Sequence, residues 1–284
     1  MNEKELNEFI QEAENGDVNS QIILGFTYLD GDDDIPKDDN EAFKWFKAAA
    51  EQGHPEAQCM LGLCYENGQG VKQDYNEAFR WYKTAAEQRN AYAQNNLGVF
   101  YDKGQGIEQD YNEAFRWFKA AAEQGNVDAQ CNLGECYKNG QGVDQDDKEA
   151  FRWYKAAAKQ GVSEAQYNLG WYYYNGKGVQ KNYKKAFRWY KAAAEQGDAK
   201  AQFNLGLCYS NGQGVKQDYS EAFRWYKAAA EQGNVDAQCN LGICYYKGLG
   251  VNQDYNEASR WLKAATEQGN VYAQYILGLC YANG

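Results

Sequence analysis

Shifted by 36 residues against itself, the chain nearly matches: Ala50, Ala86, Ala122, Ala158, Ala194 and Ala230 each open a variant of one unit. A fixed period of this length is the signature of a stacked array, in which each unit buries its apolar face only against its neighbours. The unit reads AEQGNxxAQxNLGxxYxNGQGVxQDYxEAFRWYKAA. A chain copied in this way has few one-off residues from which to build a catalytic centre, so its function is expected where the copies differ.

Each copy encodes two helices. In the second, His54 and Pro55 open helix A, with proline at the first helical position, where its missing N–H costs nothing. Asn90, Asn126, Asp198, Asn234 and Asn270 take the capping place in other copies. Ala57, Leu61, Gly62, Cys64 and Tyr65 follow at helical spacing, and Asn67-Gly68 supplies a left-handed stop. After a Gly-Gln-Gly-Val-Lys-Gln loop, Asp74 and Glu77 form the Asp-x-x-Glu variant of a capping box that starts helix B. The stripe Ala78, Trp81, Tyr82, Ala85 buries against helix A, and Gly53, Gly125, Gly161, Gly197, Gly233 and Gly269 end successive B helices. The fold class is therefore all-α: a solenoid of antiparallel helix pairs.

No composition shift or linker divides the 284 residues, so they read as one repeat domain. Residues 1–12, with Leu6, Phe9 and Ile10 at helical spacing, form an N-terminal capping helix. Full repeats occupy 13–49, 50–85, 86–121, 122–157, 158–193, 194–229 and 230–265. A partial repeat over 266–284 holds helix A alone, so Leu277, Cys280 and Tyr281 are expected to lack the helix that covers their equivalents. The chain is then a fragment, or a partner covers that end.

Forty acidic against 29 basic residues give a net charge of -11, which disfavours nucleic acid and anionic lipid and favours a neutral or basic partner. No run approaches the roughly 18 apolar residues of a membrane span, and no leader precedes the repeats, so the location is expected to be cytoplasmic. The eight cysteines fall at two repeat positions five residues apart. On a helix that separation turns side chains by about 140°, and neighbouring repeats stand about 10 Å apart, beyond the roughly 7 Å Cα limit of a disulfide. Free thiols in a reducing compartment are expected. With one histidine and no CxxC pair, neither a zinc site nor any other cofactor is expected.

The motif AEQGNxxAQxNLGxxYxNGQGVxQDYxEAxxWYKAA resembles the Sel-one-like repeat, a relative of the tetratricopeptide repeat, from about Ala13 onward and seven times in register. Local departures are a 37-residue first unit, Arg89 where glycine ends the helix, Asn182 and Lys185 in place of the Asp/Glu cap, and Ser259 in place of Phe. The resemblance implies a right-handed superhelix whose A helices line a concave groove, and a role as an adaptor in protein complexes.

Comparing copies isolates the variable positions. The place of Glu56 is also Tyr92, Asp128, Glu164, Lys200, Asp236 and Tyr272. That of Cys59 includes Tyr167, Phe203 and Tyr275, and that of Leu63 includes Glu135 and Trp171. These share one face of helix A. Tyr167, Trp171, Tyr174, Phe203 and Tyr246 are expected to form an aromatic patch there, of the kind that supplies hot spots, or else to fill core between A helices. Asn96, Asn132, Asn168, Asn204 and Asn240 form a 36-residue ladder that suits the backbone of an extended peptide, or a bond to their own repeat's loop.

The tryptophans from Trp45 to Trp261 on helix B read as core, and Arg80 and Lys83 with their equivalents as a solvated face paired with Glu77 and Glu87. The segment from Asp30 to Glu41 matches calcium-loop spacing at positions 1, 3, 5 and 12, but Ile35 and Pro36 stand where the sharp turn wants glycine. His54 reads as a helix cap. The expected function is a non-enzymatic scaffold that binds a protein or peptide along the A-helix groove. The alternatives are an assembly component stacking end to end through its C-terminus and, because cysteine-rich relatives bind or hydrolyse beta-lactams, a beta-lactam-interacting enzyme. No Ser-x-x-Lys pair or partnered histidine supports the last.

Overall fold

In the computed structural model, residues 3–31 and 34–283 are described, and among them the structure is helical with no strand. Residues 1–145 form one compact unit. It holds α1 (Glu3–Glu14), α2 (Val18–Asp30), α3 (Asp39–Glu51), α4 (Pro55–Asn67), α5 (Tyr75–Glu87), α6 (Ala91–Lys103), α7 (Tyr111–Glu123) and α8 (Val127–Asn139). Residues 146–284 form the second. It holds α9 (Asp147–Lys159), α10 (Ser163–Asn175), α11 (Tyr183–Glu195), α12 (Ala199–Asn211), α13 (Tyr219–Glu231), α14 (Val235–Lys247), α15 (Tyr255–Glu267) and α16 (Val271–Asn283). From α2 onward, A and B helices of 13 residues alternate.

The repeat's small residues decide how the helices meet. A Cβ on Gly62 would lie 2.7 Å from the ring of Tyr82, and one on Gly170 would lie 2.7 Å from that of Tyr190. The bare backbone of helix A is thus a notch that seats one ring of helix B, and both tyrosines are fully buried. Leu61, Ala78 and Ala85 close the core around the first notch, Leu169, Ala186 and Ala193 around the second. Gly278 of α16 is different: nothing lies within 4 Å of its would-be Cβ.

The invariant glutamine of helix A ties three helices together. Buried Gln58 donates to the Ala50 carbonyl of α3 at 3.3 Å and accepts from Gln88 at the end of α5 at 2.7 Å. Gln94 repeats this with Ala86 and Gln124, and Gln202 with Ala194 and Gln232. A buried amide is stable only when partnered, and here both of its ends are.

Helix starts differ in two ways from the sequence expectation. Asp74 accepts from the N–H groups of Asn76 and Glu77, but the box is not reciprocal. The Asp74 N–H donates to the Tyr65 carbonyl, pinning the loop to helix A, so the Glu77 carboxylate turns outward to Arg80 at 2.8 Å. His54 stands at the capping position of α4 but makes no side-chain cap bond, and its Nδ1 is buried without a partner. Helix ends follow expectation: Gly68 has φ 71° and returns its N–H to Cys64. Arg89 keeps the left-handed dihedral of the glycines it replaces, at φ 66°.

The tryptophan ladder is core-facing, with Trp45, Trp117, Trp153 and Trp225 buried, and Trp81, Trp189 and Trp261 half-buried. The preceding cation covers the outer face of the ring in most copies, as Arg116 does 4.9 Å from the Trp117 centroid. The basic rows are paired as expected, among them Arg80 with Glu77 and Arg224 with Glu221. All eight cysteines are free. Burial pushes the thiols of Cys59, Cys64, Cys136, Cys208 and Cys244 up to about 12, so they stay protonated and unreactive at neutral pH.

In the candidate calcium segment, Asp32 and Asp33 lie outside the described residues. Ile35 is buried, Asp38 caps α3, and Glu41 pairs with Lys44 at 2.9 Å. Among the described residues no group of three acidic, histidine or cysteine side chains is placed to hold a metal.

Candidate functional site

The variable face of helix A is richest in rings in residues 146–284. Tyr167, Trp171 and Tyr174 sit on α10 at steps of four and three, so they share a face, and all three are half-buried. The structure brings Tyr167 and Tyr174 together through Tyr190 of α11, at centroid distances of 6.0 and 6.3 Å. Tyr174 also meets Tyr183 at 5.2 Å and donates its hydroxyl to Gln213 at 2.7 Å. Burial pushes the Tyr167 phenol up, with the Asp198 carboxylate adding to it, so this ring stays neutral through the physiological range.

Trp171 is held differently. Its ring stands edge-on to Tyr172 at 5.3 Å, and Lys177 Nζ lies 5.3 Å from its centroid. Phe203 leans on Tyr226 at 6.0 Å, and Tyr246 on Tyr255 at 5.7 Å. The five aromatic candidates are all half-buried; each ring packs within its own repeat, and the Tyr174 hydroxyl also reaches Gln213 of the next.

The asparagine ladder divides by repeat. Asn168 is buried and donates one amide hydrogen to the Glu164 carbonyl at 3.0 Å; half-buried Asn204 donates to Lys200 at 2.9 Å. The bond goes to the carbonyl four residues back on the same helix, not to the repeat's loop. Asn132 donates to Asn95 at 3.0 Å, and Asn96 accepts from Asn95 at 3.4 Å. Asn240 is half-buried on α14.

Two features of residues 1–145 escape the sequence reading. A cavity of about 550 Å³ lies among His54, Pro55, Glu56, Cys59, Met60, Asn90 and Tyr92, and Tyr92 is 69% exposed at its rim. The signal was available, since tyrosine takes the place of Glu56 there. A smaller cavity of about 170 Å³ places Asp102 and Glu135 beside Val99, Phe118 and Asn132. Burial holds the Asp102 carboxyl above its ordinary value, Lys103 opposes this and Glu135 adds to it. The same helix face is thus acidic in one unit and aromatic in the other.

Known proteins share this plan. Over 98% of the chain, the structure superimposes on a protective antigen of uropathogenic Escherichia coli displaying an SLR fold, with 40% identity and a TM-score of 0.90. The overlap covers 60% of that antigen. A Sel1 repeat protein from Oxalobacter formigenes aligns over 96% of the chain and 79% of its own length, with 36% identity and a TM-score of 0.74. Among curated proteins, an F-box protein of Arabidopsis thaliana is 40% identical over 70 residues, which are 25% of this chain and 19% of that protein. The chitin synthase regulator of Saccharomyces cerevisiae is 43% identical over 63 residues, 22% of this chain and 9% of the regulator. The chain therefore matches under a fifth of the length of these curated relatives. The Sel1 repeat profile matches residues 18–54, 55–90, 91–126, 127–162, 163–198, 199–234, 235–270 and 271–284. With contiguous matches from residue 18 to residue 284, the chain belongs to the Sel1 repeat family.

Proposed function

We propose that the chain is a non-enzymatic interaction scaffold that receives a protein or peptide segment on the A-helix face of residues 146–284. Sel1 repeat solenoids are typically protein-interaction scaffolds. The observation that carries the finer reading is the half-buried ring cluster of Tyr167, Trp171 and Tyr174, fixed by Tyr190, Tyr172 and Lys177 before any partner arrives. Rings already held in one rotamer lose little entropy on binding, and aromatic anchors dominate interface energetics. Phe203 and Tyr246 extend the contact along the following repeats. Half-buried Asn204 retains an amide oxygen and a second amide hydrogen for a backbone laid beside the rings, whereas Asn168 is buried. A cytoplasmic location is supported by eight free thiols.

The test is capture of partners by the native chain and by its Tyr167→Ala/Trp171→Ala variant, identified by mass spectrometry. A protein retained at least tenfold more weakly by the variant, at unchanged helicity, is the expected result. Equal retention rejects the site, and hydrolysis of nitrocefin by the purified chain rejects the non-enzymatic reading.

A further inference from the structure

One stretch of the second unit inverts the charge of the whole chain. Between Glu164 and Glu195 there is no acidic residue, and residues 176–194 carry Lys177, Lys181, Lys184, Lys185, Arg188 and Lys191. At the positions of Lys177, Lys181, Lys184 and Lys185 the neighbouring repeat carries Gln213, Gln217, Ser220 and Glu221, and an earlier one Gln69, Gln73, Asn76 and Glu77. The replacements change the ion pairing. Where Glu77 holds Arg80 and Glu221 holds Arg224, Lys185 faces Arg188 one turn on. Among the described residues, none of Lys177, Lys181, Lys184, Lys185 and Arg188 has a carboxylate partner.

These cations gather on one edge. A Cβ on Gly178 would lie 2.9 Å from the backbone nitrogen of Lys148, and one on Gly214 would lie 2.8 Å from the backbone nitrogen of Lys184. Each A-to-B loop therefore rests on the first turn of the preceding B helix, and the first turns of α9 and α11 line the same edge as loop 176–182. Three ammonium groups are steadied over rings: Lys177 on Trp171 at 5.3 Å, Lys181 on Tyr183 at 5.2 Å and Lys185 on Tyr173 at 5.1 Å. Held in place without a counter-charge, they form a preorganised positive surface.

We propose that this loop edge docks an acidic polypeptide segment, rich in Asp and Glu, of a partner protein. The matching first turns of the repeats before and after carry acids, Asp147 and Glu149 in one and Asp218 and Glu221 in the other, and the backbone of Asp147 lies against Gly178 of the loop. The positive track is therefore one repeat wide, about 10 Å, which spans three or four residues of extended chain. A nucleic acid, with a phosphate at every step, would run from these lysines onto flanking carboxylates; a short acidic motif would not. The partner's charge is thus opposite to the one that the net charge of -11 favours, because an average over the chain hides a local excess.

The basic edge meets the A-helix anchors where Lys177 lies over Trp171 and where Tyr183, beneath Lys181, packs on Tyr174. The test is fluorescence titration of a labelled decapeptide holding four consecutive glutamates between neutral residues, and of the same peptide with glutamine in their place, at about 50 mM salt. The native chain should bind the glutamate peptide at least tenfold more tightly than the glutamine peptide, and lose this preference at high salt. Restoring the repeat's own residues, in the variant Lys177→Gln/Lys181→Gln/Lys184→Asn/Lys185→Glu, should weaken glutamate-peptide binding at least tenfold. The exposed single changes Lys181→Gln and Lys184→Asn should each weaken it two- to threefold, so a quadruple variant that misfolds does not remove the test. Equal affinity for the two peptides, or native-like binding by the variants, overturns the proposal. Tighter binding of a ten-nucleotide thymidylate strand than of the glutamate peptide overturns it in favour of nucleic acid.

Discussion

Residues 1–145 and 146–284 are built from the same repeat, yet the first unit carries 12 basic and 27 acidic side chains and the second 17 and 13. Their interiors are nearly interchangeable. Gly62 meets Tyr82 and Gly170 meets Tyr190 at the same 2.7 Å, and the glutamine relay recurs in both. Their surfaces are not: one unit lines its A helices with Glu56, Asp102 and Glu135, the other with Tyr167, Trp171 and Tyr174. A repeat fold separates the residues that hold it together from those free to carry recognition, and the two sets vary independently.

The sharpest way to break the comparison is at the notch. Gly62→Ala and Gly170→Ala should destabilise by similar amounts, about 1–3 kcal/mol of overpacking set against a helix-propensity gain of about 1 kcal/mol. Gly278→Ala, with nothing near the new methyl, should show only the gain. Chemical denaturation of the three variants measures this, and unequal losses at Gly62 and Gly170 would end the claim of a common interior.

Next in size is Arg89→Gly, expected to stabilise by about 1 kcal/mol, because Arg89 alone among the described non-glycine residues holds a positive φ. The rise should appear in the thermal midpoint. Lys185→Glu restores to α11 the acidic first turn of its neighbours and a partner for Arg188, worth about 0.2–0.5 kcal/mol. Its gain should vanish in high salt.

The smallest effect belongs to Asp102, whose folded pKa is raised chiefly by burial. A raised carboxyl pKa means that the folded state disfavours the charge, so the penalty is present above the folded pKa and absent below the unfolded one. Asp102→Asn should therefore lift the thermal midpoint slightly at pH 7 and leave it unchanged near pH 3.

Most of the fold was legible in the sequence because the repeat states its caps and apolar stripes many times over. The capping box misled because Asp-x-x-Glu spacing does not reveal that the Asp74 N–H is already taken by Tyr65 from the preceding helix. His54 does hold the capping position, but proline at the next position starts the helix without a bond from the imidazole. The aromatic candidates were legible as variable positions, but not their seats: Tyr174 reaches Gln213, 39 residues on, through a contact that only the stacking of repeats creates. Partner charge was least legible, since the chain total conceals a basic edge one repeat wide.

The buried glutamine carries a further consequence for how the array opens. Because Gln202 is held by the end of α11 before it and the end of α13 after it, neither neighbour can peel away without exposing an amide that serves the other. Amide hydrogens flanking such a glutamine should exchange with solvent together, in blocks wider than one helix pair, so that fraying from either side advances in steps and not residue by residue.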